Sequence, residues 1–291
     1  MGGQWVQFLA GGLTAGAIYA LVALGFSIIY NASRVLNFAQ GEFVMIGGMS
    51  AVSLVGAGAP MPLALLGAVA IAAIVGLLLE RLAVGRARNA DVVTLIIITI
   101  GASIFLKGLA QLVWDKSIHP LPPLSGDKPI ALFGATIVPQ SLWVLGVTVL
   151  IVIALSWFFN RTMYGKAMLA TSYNRLAAQL VGVEVKRVLF ASFGLAAALG
   201  AIAGVLIAPI TFTSYDIGVM LGLKGFAAAI LGGLGSFPGA IVGGLLLGLL
   251  ENLGAGYVSS TYKDVIAFAI ILAVLFFRPD GLLGAIKSER V

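Results

Sequence analysis

Few residues in this chain could do chemistry. The acids that fall in or beside apolar runs are Glu42, Glu80 and Glu251. A carboxylate at mid-membrane depth costs about 2.5–3.5 kcal/mol or more, so it marks a solute contact or proton site worth testing. Glu42 follows Asn37 and Gln40 and opens an apolar run, where a carboxylate also favours the positive end of a helix dipole. Both readings stand. Glu80 adjoins Arg81 at the end of a run and reads as a solvated or locally paired charge, whereas Glu251, beside Asn252, lies deeper. No series of acids and histidines forms a proton relay, and His119, the one histidine, reads as ordinary loop surface. Gly165-Lys166 is followed by Ala167 and lacks the glycines of a phosphate-binding loop, so nucleotide hydrolysis by that device is excluded. Gly233-Leu234-Gly235 has no strand–helix unit around it. With no cysteine there is neither disulfide nor thiolate metal site. The expectation is no catalytic residue, no metal and no cofactor of its own.

The elements that must position these groups follow from composition. Of 291 residues, 60% are hydrophobic and 10% charged, with 38 glycines and a mean hydropathy of +1.11. A soluble domain carries roughly 25% charged residues. This chain cannot cover its apolar surface and needs lipid as solvent. Runs long enough to approach the ~20 residues of a bilayer span occupy 8–30, 43–57, 61–84, 92–113, 138–159, 188–208, 218–234, 237–256 and 264–277. The second, seventh and last are short, hence tilted, extended or re-entrant. The fold class is an all-α polytopic membrane protein of about nine transmembrane helices (eight to ten), a single domain over 1–291.

Charge sets direction. With nine spans, one side receives Arg34, Arg81, Arg86, Arg88, Arg161, Lys166, Arg175, Lys186, Arg187, Arg278, Lys287 and Arg290, and the other only Lys116, Lys128 and Lys263. Twelve basic residues against three place the first side in the cytoplasm, with the amino terminus outside. The net charge of +6 is thus an orientation signal rather than a nucleic-acid surface. Lys107 and Lys224 fall inside spans, near ends where a long stem could snorkel outward. The outer loop, 114–137, holds Pro120, Pro122, Pro123 and Pro129, which exclude continuous helix. Its residues 130–138 form a hairpin candidate with glycine in the turn. It is either a plain connector or a docking surface for an external partner.

Two breaks interrupt the helices: residues 34–42, and residues 232–239, which hold Gly232, Gly233 and Gly235. Similar small-residue stretches follow both, a hint of two related halves with sites at their interface. Gly12/Gly16, Gly200/Gly204, Gly239/Gly243 and Gly244/Gly248 repeat at a spacing that suits close helix packing.

A polar island, 159–188, stands apart. Leu169, Tyr173, Leu176 and Leu180 recur on one face of a helix over 164–180, with Lys166, Asn174 and Arg175 on the others and Gly182 as its stop. Such a helix either lies in the headgroup layer or seats in a groove of a partner.

The chain resembles the LivH type of permease subunit from ABC importers of branched-chain amino acids. The matching text is Gly12-Leu13-Thr14-Ala15-Gly16, Leu36-Asn37-Phe38-Ala39-Gln40-Gly41-Glu42, Gly165-Lys166-Ala167-Met168, Gly225-Phe226-Ala227-Ala228-Ala229-Ile230-Leu231-Gly232-Gly233, Tyr262-Lys263-Asp264-Val265 and Arg278-Pro279-Asp280-Gly281. The likeness spans nearly the whole chain. It implies a bacterial inner-membrane permease that pairs with a related second permease subunit, two cytoplasmic ATPases that bind the ATP, and a periplasmic substrate-binding protein. The amino-acid substrate would be leucine, isoleucine, valine or similar. Urea or short amides are the nearest alternative, monosaccharides a more distant one, and a self-contained ion-coupled carrier or channel the rival from another class. By the same resemblance the 160–187 loop couples to an ATPase through Gly165, Lys166, Ala170, Asn174, Arg175, Leu176 and Leu180. The path is expected near Asn37, Gln40, Glu42, Gly232, Gly233 and Gly235. Two departures matter: family members often carry His where this chain has Gln40, and charged residues near Leu169 and Leu176, which are apolar here. ATPase contact would then rest on packing more than on salt bridges.

Overall fold

The computed structural model describes residues 2–87, 90–126, 128–132 and 135–284. Arg88, Lys287 and Arg290 of the charge argument, and Phe133-Gly134 of the hairpin, lie outside these residues. The helices are α1 (Gly2–Ser33), α2 (Gln40–Gly56), α3 (Met61–Leu79), α4 (Val92–Trp114), α5 (Pro139–Arg161), α6 (Met163–Tyr173), α7 (Arg175–Leu180), α8 (Val185–Thr211), α9 (Ile217–Gly232), α10 (Phe237–Tyr257) and α11 (Lys263–Phe277). A π-helical turn, Glu80–Val84, continues α3. Strands β1 (Ile130–Leu132) and β2 (Ala135–Ile137) pair antiparallel, Ile130 opposite Ile137, as the sequence predicts.

Six helices among the described residues are long and apolar enough to cross a bilayer: α1, α3 with its π turn, α4, α5, α8 and α10. The other three expected spans, α2, α9 and α11, have 17, 16 and 15 residues. At 1.5 Å per residue they reach only about 22–26 Å, short of the ~30 Å hydrocarbon core. These are the three runs that the sequence marks as short.

α1 and α8 form the centre. In their apolar windows 89% and 67% of residues are buried, against 11–22% in α3, α4 and α5. Those outer helices present Leu66, Ile104 and Ile153 outward, a surface that suits lipid. The centre closes through glycine: a Cβ on Gly16 would meet the Leu245 backbone at 2.8 Å, and one on Gly248 the Gly16 nitrogen at 2.3 Å. Of the predicted glycine repeats, Gly12/Gly16 and Gly244/Gly248 form the seam between α1 and α10, whereas Gly200/Gly204 pack against α2 and Gly239/Gly243 against α9. The 114–137 loop is tethered at His119, whose N–H donates to the Thr213 carbonyl (2.8 Å) and whose carbonyl accepts from Thr213 N–H (3.0 Å).

Two expectations are corrected and a third is narrowed. The single helix over 164–180 is two helices, because Asn174 adopts extended backbone (φ −151°) and its Oδ1 accepts from the Ala177 N–H at 3.0 Å, capping α7. Gly182, at φ +90°, does stop α7. Lys224 does not snorkel; it is buried and paired inside the bundle. Of the two readings of Glu80, solvated or locally paired, burial excludes the first; its carboxylate lies against Gly85 at the π turn.

Candidate functional site

Residues 34–39 turn back from the end of α1 and deliver the start of α2 into the bundle. Arg34 takes a left-handed backbone (φ 59°), and Asn37 Oδ1 accepts from Ala39 N–H at 3.1 Å. Phe38 N–H donates to Thr99 Oγ1 (3.2 Å), Gln40 Nε2 to the Ala196 carbonyl (2.9 Å), and Ser103 Oγ to Glu42 Oε1 (2.8 Å). Ser103 is the middle residue of α4 and Ala196 lies close to the middle of α8. α2 therefore begins about half-way through the bundle. α9 starts against the same point: a Cβ on Gly41 would stand 2.1 Å from the Gly218 carbonyl oxygen. Irregular backbone at this depth is tolerated only where protein or a cavity surrounds it.

A cavity of about 180 Å³ opens where the two helices meet. Phe26, Phe38, Phe226, Ile100 and Leu223 wall it, with Glu42 and Ser103 as its polar groups. The Phe226 ring stands 5.7 Å from Phe26 and 5.6 Å from Phe38, centroid to centroid. Glu42 is 1% exposed, and its Oε2 has no hydrogen-bond partner among the described residues. Of the other expected path residues, Asn37 and Gln40 are buried beside this cavity without lining it. Gly232, Gly233 and Gly235 lie at the opposite end of α9. There Gly233 and Gly235 have φ of +105° and +87°, Leu283 N–H donates to the Gly232 carbonyl (2.9 Å), and Asn31 Nδ2 donates to that of Gly235 (2.8 Å). Sequence grouped the two sets; the structure separates them.

α6 and α7 lie at the end of the bundle where α5 stops and α8 starts. Gly165 is enclosed, since a Cβ there would stand 2.2 Å from the Phe158 carbonyl oxygen, and its N–H donates to the Thr162 cap at 3.0 Å. Ala170 is half-buried, while Lys166, Asn174 and Arg175 are exposed. Tyr173, Leu176, Leu180 and Val181 are 69–87% exposed, so the predicted apolar face survives the break in the helix. Leu169 turns inward instead, beside Asn31 and Phe159. Arg81, Arg86, Arg175, Lys186 and Arg187 line one open hollow next to this face. The Arg34 guanidinium donates to the Ser172 carbonyl at the end of α6, tying this surface to the turn that leads into α2.

A family model described as "Branched-chain amino acid transport system / permease component" matches residues 8–275. The chain belongs to that permease family. The high-affinity branched-chain amino acid transport system permease protein LivH of Salmonella typhimurium is 36% identical over 302 residues, 99% of this chain and 98% of that protein. BraD of Pseudomonas aeruginosa, a permease protein of the same description, matches at 36% over the same shares. Among solved structures, PsaBC from Streptococcus pneumoniae in complex with Fab aligns at a TM-score of 0.53 and 15% identity, covering 95% of this chain and 94% of that chain. At that identity the likeness concerns the fold. By family this chain is the permease component of a transport system, and its sequence holds no phosphate-binding-loop motif.

One group of this permease escaped sequence reasoning. Lys224 Nζ on α9 lies 2.8 Å from Glu251 Oε1 on α10 and 2.8 Å from Asp264 Oδ1 on α11, and it donates to the Tyr19 hydroxyl of α1 at 3.2 Å. Tyr19 in turn donates to Glu251 Oε2 at 2.7 Å, and Lys263 stands 3.4 Å from Glu251 Oε1. Two cations and two anions thus close on one another and bind four helices. The available signal was the presence of both a Lys and a Glu inside apolar runs, where opposite charges commonly pair. Beyond the membrane-length helices, the Ser117 N–H holds the Asp115 carboxyl below its ordinary range, and the Thr94 hydroxyl does the same for Asp91.

Proposed function

We propose that this chain is one half of the transmembrane core of an ATP-binding-cassette importer that brings branched-chain amino acids into a bacterial cell. A related permease subunit completes the core, two ATPases supply the force, and a periplasmic substrate-binding protein delivers the amino acid. The chain lies in the inner membrane with its amino terminus outside and carboxyl terminus inside, and the short helices α2, α9 and α11 complete nine membrane segments. The solvent-exposed apolar face of α6–α7 carries this reading. A surface of Tyr173, Leu176, Leu180 and Val181 rimmed by Lys166, Arg175 and Lys186 suits a groove on a soluble partner, as helix-in-groove contacts do. Gly165, Ala170 and Asn174 set the shape of that element. Displacement of α6 would pass through Arg34 to the start of α2, where Asn37 and Gln40 brace the backbone and Glu42 meets the solute. Asn31 would carry the same displacement to the Gly232–Gly235 junction, an inner constriction of the path.

The experiment is ATP-driven uptake of labelled leucine by the four-part complex in proteoliposomes, with and without Leu176→Asp and Leu180→Asp together. The expected outcome is normal membrane insertion with loss of copurifying ATPase and of uptake. Wild-type uptake by the variant overturns the coupling assignment. Concentrative uptake by the single chain without ATP overturns the importer reading in favour of a self-contained carrier.

A further inference from the structure

We infer that the cavity between α2 and α9 is a transit site for a primary ammonium borne on a compact apolar side chain, and that Glu42 receives the ammonium. This rests on the transport reading above and specifies which part of the solute the membrane domain reads. Glu42 is 1% exposed at the middle of α4, where a carboxylate requires compensation. It has one hydrogen bond, from Ser103, and Oε2 is without a partner; among the described residues no Lys or Arg nitrogen reaches ion-pair distance of it. Lys107, one turn further along α4, acts on Glu42 through its charge but not as an ion pair, its Nζ lying 5.7 Å from the Tyr215 ring centroid. The under-satisfied group is therefore an acceptor for a cation with several N–H donors, which a primary ammonium supplies.

The walls specify the remainder of the ligand. Phe26, Phe38 and Phe226 offer an apolar surface for an aliphatic side chain and π faces that attract a cation. The volume, about 180 Å³, is below the roughly 300–1,000 Å³ of pockets that hold drug-sized ligands, a scale that suits one small amino acid. Gly218 keeps the carboxylate open to the cavity: a Cβ there would stand 3.1 Å from Glu42 Oε2. The same glycine also permits the contact with Gly41, so packing and access are served together.

The test uses the full chain in lipid nanodiscs, saturation-transfer NMR with L-leucine, and two competitors. 3-Methylbutylamine retains the ammonium without the carboxylate; 4-methylpentanoate retains the carboxylate without the ammonium. The amine is expected to displace leucine and the acid not, and Glu42→Gln is expected to weaken leucine and amine binding by about tenfold or more, the worth of one charged hydrogen bond. Displacement by the acid as strong as by the amine, or Glu42→Gln within about twofold of wild type, overturns the inference. Phe226→Ala leaves the carboxylate untouched and keeps the inference falsifiable if Glu42→Gln does not fold. It should shift preference from leucine towards phenylalanine, and an unchanged preference counts against the site. Leucine uptake by the assembled wild-type complex is measured in parallel. Uptake present with Glu42→Gln indistinguishable sinks the ammonium site alone, whereas no branched-chain uptake at all sinks the importer reading and the inference with it.

Discussion

Lys224→Met removes the cation from the buried cluster while keeping an unbranched side chain of similar reach. Asp264, 35% exposed, loses its pair but can turn to water. Glu251 cannot: it is 4% exposed by side chain and retains only the Tyr19 hydroxyl at 2.7 Å and Lys263 at 3.4 Å. Removing one partner of a buried ion pair costs about 3–5 kcal/mol, because the other charge is left uncompensated. The surviving Lys263 places Lys224→Met near the lower end, at about 3 kcal/mol. Glu251→Gln should cost less, about 2 kcal/mol, since Lys224 still has Asp264 while the charged hydrogen bonds from Lys224 and Tyr19 are weakened rather than lost. Lys224→Met with Glu251→Met leaves only the partly exposed Asp264 and Lys263 charged in the cluster and should regain at least half of the single-variant loss. The assay is equilibrium unfolding in mixed micelles with rising dodecyl sulfate, followed by tryptophan fluorescence. Lys224→Met within about 0.5 kcal/mol of wild type, the scatter of a surface substitution, would falsify the assignment of a compensated cluster. So would a double variant less stable than Lys224→Met.

Other outcomes follow from single contacts. Gly248→Val sets branched carbon where a Cβ would already stand 2.3 Å from the Gly16 nitrogen, so α1 and α10 must separate; yield of monodisperse protein on gel filtration should collapse. Arg34→Ala breaks the link from α6 to the α1–α2 turn without touching the exposed face of α6–α7. The complex should still assemble and hydrolyse ATP, but transport fewer leucine molecules per ATP; an unchanged ratio refutes the linkage. Asn174→Ala removes the cap of α7 at a local cost of about 1 kcal/mol, so partner ATPase affinity should fall by several-fold, less than with the two Leu→Asp changes. Unchanged copurification with Asn174→Ala would mean that α7 is held by its partner rather than by its cap.

The path from residues to fold was uneven. The break of the 164–180 helix was legible, because Asn174 followed by Arg175-Leu176-Ala177 is a cap with its helix, but a run of apolar residues at helical spacing masked it. α7 is a six-residue helix, and periodicity runs through so short a piece as though nothing had ended. The resemblance and the family match agree on what kind of chain this is, and the 8–275 match covers both breaks and the 160–187 loop. The roles of individual residues needed positions in space.

Sequence by itself determined the solvent this protein requires, the approximate extents of its long helices, the pairing of 130–132 with 135–137, the two interruptions and the glycine repeats. All are properties of composition or of neighbours a few residues apart, which a linear text carries. Tertiary structure decided depth and partnership. Nothing local says that Glu42 sits opposite the middle of α4, 61 residues away, or that Tyr19 meets Glu251 across 232 residues. Those contacts exist because low-polarity surroundings make each buried charge seek whatever opposite group the packing brings near, and packing is a property of the whole bundle.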